Sequence, residues 1–267
     1  MTSGSDRDGD PRPAPGPRTG PESDPGLADQ VEKGVLYLVA TPIGHRGDLS
    51  PRARAVLETA DVVAAEDTRH TGRLLAALGI PRRLVSFHEH NEETAAARLL
   101  AQLEAGQSVA LVSDAGTPGL SDPGFVLVRA AVAAGHRISA VPGPTALITA
   151  LVVSGLPTDA FTFTGFLPVK SGRRRRALQA LAEVPHTLVF YESPYRVAAT
   201  LADMAEVFGT RPAAVCRELT KRFEEIRRGT LPELAGFYAT SRPRGEFTLV
   251  VAGSGRKAGL HHPDEKA

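Results

Sequence analysis

Apolar positions along the chain fall into short β-branched runs separated by longer stretches of helical character. "VLYLVA" (35–40), "DVVAA" (61–65), "RLVSF" (83–87), "SVALV" (108–112) and "RISAV" (137–141) are each brief, apolar and bounded by turn residues, which predicts five strands. The intervening stretches carry helix-start signals: Ser50-Pro51 before "RARAVLETA", Asn91 before "EETAAARLLAQLEAG" and Asp122-Pro123 before "GFVLVRAAVAAG". Small polar side chains at such positions accept from free N–H groups of the first turn, and Pro presets the helical φ. Strand and helix in strict alternation predict a mostly parallel sheet with helices on both faces.

A second series begins near residue 160: "AFTFTGF", a helix, "HTLVFYES", a helix, "AAVCREL", "FEEIRRGTL", a short helix and "EFTLVVAG". Two successive strands with no helix between them require an antiparallel pair, so this half is predicted to hold a mixed sheet. "GLPTDA" (155–160) punctuates the two series. The expected architecture is α/β in two domains, 34–154 and 155–253. Residues 1–33 and 254–267 are rich in Pro, Gly, Asp and Ser or in charge, bury too little to offset ordering, and read as disordered tails. His261 and His262 fall in the second tail and read as solvated rather than as metal ligands.

Composition narrows the function classes. The 267 residues contain 31 bases and 30 acids, a net charge of +1 that does not by itself announce a nucleic-acid partner. There is no apolar run of about 18 residues and no basic-then-apolar leader, so neither a membrane partner nor export is expected, and the cytoplasm is the expected location. The single Cys216, within "AAVCREL", reads as a core residue rather than a nucleophile. No cluster has the spacing of metal ligands.

Three loops emerge from predicted strand ends: "TPIGHRGD" (41–48), "SDAGTPGLSDPG" (113–124) and "PGPTA" (142–146). Open α/β sheets bind ligands beyond the carboxyl ends of their strands. Gly lets a ligand approach the backbone, and Pro fixes the loop beforehand, so less conformational entropy is lost on binding. Neither GxGxxG nor GxxxxGK[ST] is present, which disfavours dinucleotide and P-loop sites.

These loops, with "AAEDTRHTG", "FTGFLP", "FYESPYR" and "CRELTKRFEEIRRGTL" in this order and spacing, resemble the ribosomal RNA methyltransferase branch of the tetrapyrrole methylase superfamily over Val35 to Gly253. One departure is local: His45-Arg46 follows "TPIG" where the branch has Asn-Leu. The resemblance implies a homodimer with S-adenosylmethionine between its two domains, methylating the 2′-hydroxyl of a cytidine ribose in the decoding region of 16S rRNA within the small ribosomal subunit. It implies cofactor contacts from Pro42, Gly44, Asp114, Ala115, Gly116, Thr117, Pro118, Pro142, Gly143 and Pro144, and from Tyr191, Gly229, Thr230 and Leu231 in the second domain.

A ribose hydroxyl needs a proton acceptor as it attacks. Glu66, Asp67 and Lys221 are the candidates, with His88 and His90 as further possibilities. Glu66 or Asp67 would equally serve as a helix cap paired with Arg69. For RNA, Lys170 and Arg173, Arg174, Arg175 and Arg176 crowd the start of one helix, and Arg69 and His70 open another. Four consecutive arginines cannot share one face, so at least two must meet solvent, where they either face water or hold phosphates.

Overall fold

The structure is a computed structural model and describes residues 31–241 and 244–255. Both tails read from composition lie outside the described residues, apart from 31–33 and 254–255, and so do His261 and His262.

The first half runs β1 (Val35–Val39), α1 (Pro51–Thr59), β2 (Val62–Ala65), α2 (Thr68–Ala77), β3 (Leu84–Ser86), α3 (Glu92–Glu104), β4 (Val109–Val112), α4 (Phe125–Ala133), β5 (Arg137–Val141) and α5 (Ala146–Ser154). Its sheet has the order β3-β2-β4-β1-β5, and every pair in it is parallel. Alternate residues of β1 serve the two faces. Val35, Tyr37 and Val39 pack with Val56 and Leu57 of α1 and Leu75 of α2, whereas Leu36 packs with Leu99 and Leu103 of α3 and Leu127 of α4.

The helix starts follow the sequence with one correction. Ser50 accepts from the Ala53 N–H at 3.1 Å, with Pro51 opening α1. Asn91 stands at the start of α3 but turns its oxygen to the His88 N–H at 2.8 Å. Asp122-Pro123 does not open a helix; α4 begins at Phe125 behind Gly124, and Asp122 is left free of any capping role.

The second half contains β6 (Phe161–Phe166), α6 (Ser171–Ala180), β7 (Thr187–Glu192), α7 (Val197–Phe208), β8 (Pro212–Arg217), β9 (Glu225–Thr230), α8 (Leu231–Ala239) and β10 (Phe247–Val251). The sheet order is β6-β7-β10-β8-β9, with β6 and β7 parallel and the remaining pairs antiparallel, β8–β9 among them. One face is covered by α6, α7 and α8 through Leu178, Leu201, Met204 and Leu234.

The other face is covered by α5, a helix that follows directly from the first sheet. Leu147, Ala150 and Leu151 pack against Val189, Ala214, Cys216 and Val250, joined by Ile43 from the loop after β1. Burying an aliphatic side chain is worth about 2 kcal/mol, so this face is a substantial clamp between the halves. The joint is also hydrogen-bonded: the Tyr191 phenol accepts from the Leu147 N–H at 3.2 Å, satisfying a first-turn donor that Thr145 does not cap. Cys216 is buried in this joint, and burial pushes its thiol up to about 11, in line with a core residue.

The arginine run divides between core and surface. Arg174 is 4% exposed and pairs with Asp203 at 2.6 Å, so it is not on the phosphate-facing surface assigned to it from the sequence. Arg175 pairs with Asp203 and Glu206, while Arg173 and Arg176 are exposed. We expect Asp203→Ala, which strands a buried guanidinium, to cost about 3 kcal/mol of unfolding free energy in a urea titration. A loss below about 0.5 kcal/mol, the scale of an ordinary surface change, would show that the pair does not support the fold.

Candidate functional site

The loops after β1, β2, β4 and β5 meet the end of β7 and the start of β10 around a cleft of about 310 Å³. Its floor is a two-way bridge between the first and third of these loops. Thr41 N–H donates to the Gly116 carbonyl at 2.9 Å and Gly116 N–H to the Thr41 carbonyl at 3.0 Å. Gly116 has φ +83°, a left-handed backbone that favours glycine. The Thr117 hydroxyl donates to the Pro144 carbonyl at 3.4 Å, and the Asp67 N–H to Asp114 Oδ1 at 3.0 Å, tying all four loops together.

Acidic side chains dominate one side of the cleft, where Glu66, Asp114, Asp122 and Glu246 all line it. Burial, then the neighbouring Asp114, raises the Glu66 carboxyl above its ordinary value. Asp122 is pushed up to about 6 by burial first, then by Glu66, with Asp114 and Glu246 adding to the repulsion. The opposite side is aromatic: Tyr191 stacks edge-on to Phe163 at 4.8 Å and tilts against Phe166 at 5.8 Å. Tight backbone, carboxylates and aromatic rings together suit a cationic ligand with an apolar body, as S-adenosylmethionine is.

The residues expected at a cofactor site separate into three groups. Asp114, Ala115, Gly116, Thr117 and Tyr191 line the cleft itself. Pro42 and Gly44 line an adjoining cavity, while Pro118, Pro142, Gly143 and Pro144 line neither, with Gly143 pressed so close to Ala40 that a Cβ would lie 2.9 Å from it. Gly229, Thr230 and Leu231 are not brought to the cleft. Strand register sets Phe247 beside Arg217 and Arg217 beside Glu225, whereas Thr230 lies beside Pro212 at the far end of the sheet. Thr230 instead forms a capping box with Glu233 at the start of α8, and Leu231 is fully buried.

The proton-acceptor candidates separate as sharply. Asp67 caps α2, accepting from the Arg69 and His70 N–H groups and from the Arg69 guanidinium, and these bonds hold its carboxyl far below the usual range. Lys221 gives its ammonium to Glu218 at 2.9 Å and Glu246 at 3.1 Å; burial would lower its pKa, but the two carboxylates outweigh burial and the net shift is upward. That overturns the expectation of a desolvated lysine poised as a base. Glu66 alone of the three lines the cleft. His88 and His90 do not line it, although His88 is near enough to act electrostatically on Glu66.

Sequence reasoning missed Asp122 because Asp-Pro reads as a helix start, and missed Glu246, Phe247 and Thr248 because they read only as a strand. Thr145, Ala146 and Phe166 sit inside segments already singled out, "PGPTA" and "FTGFLP". A second cavity of about 340 Å³ shares Ile43, Ala115 and Glu246 with the cleft and is lined further by Arg46, His70, Arg73 and Lys221. Among the described residues, no group of three or more His, Cys, Asp or Glu is arranged to hold a metal ion.

The raised Asp122 pKa has a thermodynamic consequence. The folded state holds its proton up to about 6 whereas the unfolded chain releases it near 3.8. Stability is therefore lost as pH rises from about 4 through about 6, and stays lost above that. We expect Asp122→Asn to flatten this part of the stability–pH curve and to raise the neutral-pH denaturation midpoint. Parallel curves for parent and variant would place Asp122 in water.

Comparison with known proteins follows the same outline. The sequence pattern of the family described as Tetrapyrrole (Corrin/Porphyrin) Methylases matches residues 35–235. Ribosomal RNA small subunit methyltransferase I of Xylella fastidiosa is 55% identical over 224 residues, 83% of this chain and 82% of that protein. The protein of the same name from Micromonospora olivasterospora is 54% identical over 228 residues, 85% and 73% of the two chains. Among solved structures, uroporphyrin-III-C-methyltransferase from Thermus thermophilus superposes with a TM-score of 0.58 at 26% identity, covering 83% of this chain and 96% of that one. A structure of uroporphyrin-III C-methyl transferase from that organism complexed with S-adenyl homocysteine gives 0.56 at 21% identity, covering 81% and 96%. The chain belongs to the tetrapyrrole methylase family, in the group formed by ribosomal RNA small subunit methyltransferase I.

Proposed function

We propose that this chain is an S-adenosylmethionine-dependent methyltransferase that modifies the 2′-hydroxyl of a cytidine ribose in the decoding region of 16S rRNA, acting as a homodimer on the small ribosomal subunit. The observation that carries this reading is the acidic and aromatic cleft seated on the Thr41–Gly116 bridge between the two sheets. Two relatives above 50% identity carry a ribosomal RNA methyltransferase name, which supports RNA as the substrate class.

S-adenosylmethionine supplies a methyl group on a positively charged sulfur, electrophilic enough to need neither a metal nor a protein nucleophile. The work left to the protein is alignment and exclusion of water. Asp114 and Asp122 would hold the cationic end, the backbone of Ala115 to Thr117 would form the contact surface, and Tyr191 with Phe166 would shield it from solvent. Glu66 would accept the proton of the 2′-hydroxyl as its oxygen takes the methyl, the C–S bond electrons leaving with sulfur on neutral S-adenosylhomocysteine. Glu66 suits that task because burial and Asp114 raise its affinity for a proton, whereas Asp67 is tied to Arg69 and Lys221 is held as an ammonium.

Lys170, Arg173 and Arg176 at the start of α6 are exposed and form the phosphate-facing surface in this reading. Arg69 and His70, exposed at the start of α2, belong to the same RNA surface in this reading. The helices α4 and α5 leave Phe125, Val132, Ile148 and Val152 exposed, apolar surface that a second copy would cover. Residues 34–154 and 155–253 then form the two domains.

Incubation with methyl-labelled S-adenosylmethionine and small ribosomal subunits lacking the modification should place label on one cytidine ribose of the decoding region. Label on a base, on a tetrapyrrole alone or on no RNA would contradict the reading. Glu66→Gln should lower the single-turnover rate by about 100-fold with the donor saturating. A rate within twofold of the parent would remove Glu66 from the proton transfer.

A further inference from the structure

The second cavity opens directly off the cleft and has the opposite electrical character. Arg46 and Arg73 face it, and neither makes an ion pair among the described residues. Its remaining charges largely cancel: Lys221 is bound by Glu218 and by Glu246, the one carboxylate that lines it. Two unpaired guanidiniums thus converge on a cavity of about 340 Å³, with the His70 ring beside them.

Both arginines are presented from fixed positions. Arg46 opens the 3-10 turn 46–48, which is held by the His45 ring accepting from the Gly47 N–H and by the His45 N–H donating to the Thr220 hydroxyl at 3.0 Å. Gly44, just before it, lies so close to Lys221 and Thr220 that any side chain would collide with them. Arg73 lies one helical turn beyond His70 and Arg69 on α2. The N-terminal N–H groups of α2 at Arg69 and His70 are already taken by Asp67, so an anion here must be held by side chains and not by the helix end.

Planar guanidiniums with free donors match the oxygens of a phosphodiester, and a nucleotide whose ribose enters the cleft carries its own phosphates only a few ångströms away. We infer that Arg46 and Arg73 form a phosphate-binding subsite that grips the RNA backbone next to the target ribose and so sets which hydroxyl reaches the cleft. The inference rests on the RNA reading above and deepens it.

The test compares the parent protein with Arg46→Ala, Arg73→Ala and the double variant, on exposed positions whose replacement leaves the core intact. Binding of a single-stranded RNA spanning the decoding region is measured against salt, alongside methyl-transfer kinetics and calorimetric uptake of S-adenosylhomocysteine. Each variant should flatten the slope of log affinity against log salt by about 0.7, and the double variant by about twice that. KM for RNA should rise about tenfold per arginine, with kcat within about threefold and S-adenosylhomocysteine uptake unchanged; Arg→Lys should recover part of the affinity. Salt slopes and KM equal to the parent's would overturn the subsite while leaving the methyltransferase reading intact, and so would a loss of S-adenosylhomocysteine uptake, which would assign the arginines to the donor's site. A parent that neither binds nor methylates RNA would overturn both.

Discussion

The apolar face of α5 against the second sheet is the contact on which the site depends. Leu147, Ala150 and Leu151 leave the first sheet's last loop and come to rest on Val189, Ala214, Cys216 and Val250. Because α5 follows directly after "PGPTA", any slip in this packing displaces Thr145 and Ala146 from the cleft they line. The Tyr191 phenol makes the coupling specific: one side chain of the second sheet caps the helix of the first half and also forms the aromatic wall. Fold and site are thus specified by the same few contacts.

Electrostatics then divides the space that this joint creates. On one side of Ile43 and Ala115 the carboxylates of Glu66, Asp114 and Asp122 crowd together until two of them bind protons more tightly than usual. On the other side, Arg46 and Arg73 make no ion pair among the described residues. Glu246 borders both and is held by Lys221, so the boundary carries little net charge. In the proposed reading a cationic donor and a polyanionic acceptor would each be drawn to its own side, with the reacting atoms meeting where the cavities join.

The sequence made the fold legible because each strand and helix announced itself locally. Short Val- and Leu-rich runs bounded by turn residues read as strands of a covered sheet, and β8–β9 was recognisable as antiparallel from the missing helix. The loops that build the cleft were legible from three of them sharing Gly and Pro at strand ends, although each alone equally suits a tight turn. What local pattern could not supply was register and partnership. Gly229 to Leu231 look like a ligand loop until strand pairing sends them to the far end of the sheet, and Arg174 looks like surface until Asp203, 29 residues later, receives it. Lys221 fails as a base through Glu218, three residues before it, together with Glu246, 25 residues on, and Asp122 joins the site because α4 starts later than its Asp-Pro signal suggests.

Whether the joint between the sheets truly seats a sulfonium donor is decided most directly by calorimetric titration of the full chain with S-adenosylhomocysteine, in the absence and in the presence of small-subunit RNA. A single saturable site per chain is the predicted result. Folded protein that takes up no S-adenosylhomocysteine under either condition would contradict it.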